Sequence, residues 1–73
     1  METKIFDDII TLGQFLKLEG IIGSGGQAKW FLSENVVYIN DEVENRRGKK
    51  LQHGDVIKSD EFGQYKIEYK QWF

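Results

Sequence analysis

The chain has 73 residues, with ten Lys/Arg against twelve Asp/Glu, a formal net charge of −2, and no Cys or Pro. That length sustains one small domain, and without Cys neither disulfides nor a thiolate zinc site can staple it. No apolar run approaches the roughly 20 residues of a membrane span, and Met1-Glu2-Thr3-Lys4 leads into no apolar signal segment, so a cytoplasmic protein is expected.

Lys4-Ile5-Phe6, ahead of Asp7-Asp8, reads as a short strand or a docking arm. Thr11 is placed to cap a first helix, because Leu12, Phe15 and Leu16 recur at the i, i+3, i+4 spacing of one buried face. Gly20 suits the residue just past its end. Beyond Ile21-Ile22-Gly23, Ser24 reads as the N-cap of a second helix from about Gly25 to Glu34. On that helix Ala28, Phe31 and Leu32 share a face, Lys29 lies off it, and Trp30 falls nearly opposite. From Val36 the period becomes two, with Val37 and Ile39 alternating with Val36 and Tyr38. Asn40-Asp41 is a turn, Glu42-Val43-Glu44 is extended, and Arg46 to Lys50 crosses a Gly-containing turn. His53-Gly54-Asp55 turns into Val56-Ile57, Phe62-Gly63 turns again, and Tyr65, Ile67 and Tyr69 mark a last strand. Two helices followed by a small, mostly antiparallel sheet make an α+β fold, with residues 1–73 as one domain.

The run Arg46-Arg47-Gly48-Lys49-Lys50 places four of the ten basic residues in five positions. Without it, six Lys/Arg face twelve Asp/Glu, a formal charge of −6. A positive patch on a negative body most often meets phosphate, although a charged turn can also keep a sheet edge soluble.

Four strings in order carry a resemblance: Leu16-Lys17-Leu18-Glu19-Gly20, Ser24-Gly25-Gly26-Gln27-Ala28-Lys29, Val37-Tyr38-Ile39-Asn40 and Leu51-Gln52-His53-Gly54-Asp55-Val56-Ile57. From Thr11 to Ser59 the chain resembles the RNA-binding domain named after ribosomal protein S4, and is similar to the small stand-alone bacterial proteins of the YaaA/YbcJ type. The resemblance implies a module, without catalytic activity or cofactor, that recognises structured RNA, commonly ribosomal RNA, in ribosome assembly or quality control. Ribosomal proteins are further partners it suggests. Two positions depart from the wider family: Gly25 stands where many members carry Arg, and Asn40-Asp41 replaces an Asn-Gly turn.

The expected RNA contacts follow from residue chemistry. Arg46 and Arg47 can grip phosphate with paired N–H donors, and Lys49 and Lys50 add point charges. Lys29 lies within a turn of the second helix start, and Lys17 on the first helix joins the same surface unless Glu19 neutralises it. Ser24, Gly25 and Gly26 offer backbone N–H groups to an anion, and Gln27 either meets a base edge or faces water. Trp30 is expected to pack against Ile5-Phe6 or Trp72-Phe73, with base stacking or protein docking as its other roles. Tyr38, Tyr65, Tyr69 and Phe62 read as core or sheet-face residues, and His53 as a turn residue.

Three other readings were open. In an adaptor, the basic turn and Trp30 would dock an acidic protein. A sulfur carrier would need a C-terminal Gly-Gly, and the chain ends Lys70-Gln71-Trp72-Phe73. An enzyme would need a nucleophile, metal or carboxylate constellation, and none is legible. No metal and no membrane partner is expected, and the chain is expected to be a monomer.

Overall fold

The computed structural model describes residues 1–70, with β1 at Glu2–Phe6, α1 at Leu12–Leu18, α2 at Gln27–Glu34, β2 at Tyr38–Ile39, β3 at Glu42–Val43, β4 at Val56–Ser59 and β5 at Gly63–Tyr69. The Trp72-Phe73 tail lies outside the described residues.

Helix α1 forms as its sequence dictates. The Thr11 hydroxyl accepts the Gln14 N–H at 3.2 Å, and the Gln14 side chain accepts the Thr11 N–H at 2.8 Å, a reciprocal cap. At the other end Gly20 takes φ +75°, so its N–H reaches the Lys17 carbonyl and the Ile21 N–H reaches the Leu16 carbonyl. Only a residue without Cβ adopts that left-handed turn at little cost.

Helix α2 corrects one expectation. It begins at Gln27, later than Gly25, and its N-cap is Gly26, with no side-chain cap bond. Ser24 instead offers its backbone carbonyl to the Gln27 N–H at 3.1 Å. The physical reason is the pair Gly25-Gly26: two poor helix formers hold the chain in a turn, so the serine stands too early to cap.

The sheet runs β1-β5-β4-β2-β3, with β1 parallel to β5 and the other pairs antiparallel. A strand therefore precedes the two helices that the sequence placed first. Both helices lie in the crossover joining the first strand to its parallel partner, a connection that parallel pairing requires. The sequence signal is faint because Ile5 is exposed and Phe6 only half-buried, so β1 owes its form to pairing with a strand some sixty residues away.

Leu12, Phe15 and Leu16 of α1 and Ala28 and Leu32 of α2 form one core with Val37, Ile39, Leu51, Ile57 and Ile67. Phe15 meets the rings of Phe62 and Tyr65 edge-on at 6.1 and 5.7 Å, and Phe31 stacks on Phe62 at 6.5 Å. Tyr38, Phe62, Tyr65 and Tyr69 are all half-buried on or beside the sheet. No helix among the described residues is long and apolar enough to cross a membrane.

Two turns bracket the basic run. Asn40 and Asp41 both adopt positive φ, at 53° and 68°, and close the β2–β3 hairpin in the manner of a type I′ turn. The Asn40 amide then donates to Asp55 Oδ1 at 2.9 Å, while Asp55 Oδ2 accepts the Gln52 N–H at 2.7 Å. Asp55 is only 7% exposed, so these bonds fix the hairpin to the 52–55 turn. His53 lies in that turn, and its Nδ1 accepts the Tyr69 N–H at 3.0 Å.

Candidate functional site

The basic run is bound by its backbone to the start of α1. The Leu12 N–H donates to the Lys49 carbonyl at 2.8 Å, and the Gly13 N–H to the Arg47 carbonyl at 2.9 Å. Two helix N–H groups that would otherwise lack partners are satisfied there. Lys50 forms a β-bridge with Thr11, and the Leu51 N–H donates to the Ile10 carbonyl at 2.9 Å. Close approach depends on Gly13: a Cβ at that position would sit 3.2 Å from the Arg47 carbonyl oxygen and 3.3 Å from the Arg47 Cβ. Sequence reasoning missed this residue, although a glycine inside a helix, where it costs about 1 kcal/mol against alanine, was a signal of close packing.

These contacts create an open groove of about 450 Å³ between α1, the glycine turn before α2 and the basic run. Thr11, Gly13, Gln14 and Lys17 line it from the first helix and its cap, Gly25 from the glycine turn, Ala28 from the second helix, and Arg47 and Gly48 from the loop. Lys29 follows the lining residue Ala28, Lys49 follows Gly48, and Lys50 is bridged to Thr11. The expected site residues therefore come to one region, but not to one face. Arg46 and Lys49 line a second depression, on the β3 side of the loop, beside Glu42 and Glu44.

Charge pairing separates the cations further. Arg46 grips Glu44 through Nε at 2.8 Å and Nη2 at 3.1 Å, so the guanidinium holds that carboxyl below its ordinary titration range. Lys4 pairs with Glu2 and Glu19, Lys58 with Asp41, Lys66 with Glu68 and Lys70 with Asp7. Glu19 is thus engaged by Lys4 at 3.1 Å, and not by its neighbour Lys17. Among the described residues, no carboxylate lies within 4.0 Å of Lys17, Lys29, Arg47, Lys49 or Lys50. All five were singled out in the sequence, and Arg46 is the basic-run member already spent on an internal partner.

At the glycine turn, the Gln27 side-chain oxygen accepts the Gly23 N–H, so this amide braces the loop. The Gln27 and Ala28 N–H groups turn back to the Ser24 and Gly25 carbonyls. The N–H groups of Ser24, Gly25 and Gly26 have no internal acceptor among the described residues. Trp30 does not pack against Ile5-Phe6, and the other expected cover, Trp72-Phe73, lies outside the described residues: the indole is 69% exposed, and its ring meets no other ring or cation among the described residues. The half of α2 that Trp30 occupies faces away from Ala28 and Leu32, and β1, which the sequence offered as a cover, is held at the far sheet edge by β5.

The chain is 58% identical over 64 residues to the "Probable ribosome maturation protein RlbA" of Bacillus subtilis (strain 168), a match covering 88% of this chain and 90% of that protein. Residues 3–68 match the family described as S4 domain, so β1 through most of β5 fall inside the match, and the chain belongs to the S4 domain family.

Proposed function

We propose that the protein is a non-enzymatic RNA-binding module of the cytoplasm that docks on structured ribosomal RNA during ribosome maturation. The observation that carries this reading is the division of the cations. Five have no carboxylate partner among the described residues, and of these Lys17 and Arg47 line the groove while Lys29, Lys49 and Lys50 adjoin its lining residues in sequence or by the Thr11 bridge; the other five are neutralised internally. Phosphate neutralisation supplies the affinity, and the fixed spacing of α1, α2 and the loop selects RNA by shape. The name borne by the Bacillus subtilis relative supports the ribosomal setting. Ser24, Gly25 and Gly26 contribute backbone donors, and Arg46 contributes to loop shape more than to RNA contact.

The adaptor reading gains from the exposure of Trp30. It loses from the surroundings of that residue, which are polar along the helix.

The test is ultraviolet crosslinking in living cells with sequencing of the attached RNA, using wild type and a variant with Lys17, Arg47, Lys49 and Lys50 changed to Gln. The loop caps α1 through backbone carbonyls, so these changes leave the fold intact, as a thermal melt will verify. Reads concentrated on ribosomal RNA and lost in the variant are expected. No enrichment over background in the wild type would overturn the reading.

A further inference from the structure

Trp30 stands in the middle of α2 as an exposed aromatic outside the described core. It is 69% exposed, and no described ring or cation touches it. We infer that Trp30 is a stacking platform for an unpaired RNA base, carried on the helix that borders the cationic groove. This rests on the RNA-binding reading and narrows it to structured RNA carrying a bulged or looped-out nucleotide.

Three observations lead there. The first is what the ring leans toward. Helical side chains lean toward the N-terminus of their helix, so Trp30 leans toward the glycine turn. A Cβ at Gly25 would have nothing within 4 Å, and one at Gly26 only the Ser24 hydroxyl at 4.0 Å, so no side chain covers that turn. Secondly, Gly25 also lines the groove of Lys17 and Arg47, so the turn that leads into the Trp30 helix forms one wall of that groove. Lys29 stands next to the ring in sequence and has no carboxylate partner among the described residues.

The third observation separates a base from a protein surface. The helical neighbours of Trp30 at three and four residues are Gly26, Gln27, Ser33 and Glu34, none of them apolar and bulky. Protein interfaces gather a contiguous apolar core around such an anchor. A base needs one π-face and a nearby cation. Glu34 is the acidic member of the set, and it lies one turn toward the C-terminus, away from the glycine turn.

The probes are a blunt RNA duplex and the same duplex carrying a bulge of unpaired purines. In a W72F background Trp30 is the sole tryptophan. Its fluorescence is expected to be quenched by the bulged RNA and not by the blunt duplex. The W30A substitution should weaken bulged RNA roughly tenfold or more and leave the blunt duplex within about twofold, with W30F restoring part of the loss. Equal weakening of both RNAs, or none of either, would overturn the inference while the groove reading stands. Undiminished RNA binding by W30A together with loss of a protein partner would reassign Trp30 to protein docking. Failure of wild type to bind either RNA would remove the RNA reading itself.

Discussion

At the scale of single residues, adjacent arginines have unequal roles. Arg46 is committed to Glu44 by two N–H bonds on the β3 side of the loop, whereas Arg47 lines the groove with no carboxylate partner among the described residues. A charge already paired with a protein carboxylate must break that pair to reach phosphate, and the exchange yields little net attraction. Changing Arg47 to Gln is therefore expected to weaken RNA binding and to lower the magnitude of the salt slope by about 1. Changing Arg46 to Gln should leave that slope unaltered and instead lower thermal stability slightly, because Glu44, with 13% of its side chain exposed, loses its partner. Fluorescence anisotropy across a salt series, paired with melting curves, measures both. A larger effect on the slope from Arg46 than from Arg47 would contradict the assignment. The basic run itself was legible because four charges in five positions are a local fact. Which of them is spent on Glu44 was not, since that depends on how the loop turns.

At the scale of elements, the groove depends on how tightly the loop meets α1. Gly13 is the point of closest approach, and its N–H holds the Arg47 carbonyl that an added side chain would push away. The substitution G13V is expected to cost about 2 kcal/mol through overpacking, lowering the melting temperature by several degrees. RNA affinity should fall as well, measured at a temperature where the variant remains folded. Full affinity with normal stability would show that the loop does not need this contact. Elements encoded by neighbouring residues were readable: the Thr11 cap, the Leu12-Phe15-Leu16 face and the alternation of Val37 and Ile39 all hold. Those that depend on distant partners were not. Strand β1 exists through its register with β5, where Glu2 faces Tyr65, and no short-range period announces that. Ser24 misled for a local reason, because a serine signals a cap only when the next residues accept helical geometry, and Gly25-Gly26 turn first.

For the molecule as a whole, the question is how a chain of net charge −2 attracts a polyanion. The paired lysines answer it. Lys58, Lys66 and Lys70 neutralise Asp41, Glu68 and Asp7 at 3.4, 3.6 and 3.3 Å, so the sheet and its turns show RNA little positive charge, while Asp8, Asp60 and Glu61 repel it. Attraction is confined to the region of Lys17, Lys29, Arg47, Lys49 and Lys50, and such an uneven field orients the protein as well as holding it. If about four of these five meet phosphates, log affinity should fall against log salt with a slope of roughly −3 to −4. A tenfold rise in salt then weakens binding by three to four orders of magnitude. A slope much steeper than that would mean that the paired lysines open and join the interface, against the division of charges seen here. A slope near zero would mean that phosphate is not the main contact. The same series run on the variant lacking Lys17, Arg47, Lys49 and Lys50 isolates the region: its slope should collapse toward that of Lys29 alone, about −1. A variant slope still near −3 would place the attracting charge elsewhere on the molecule.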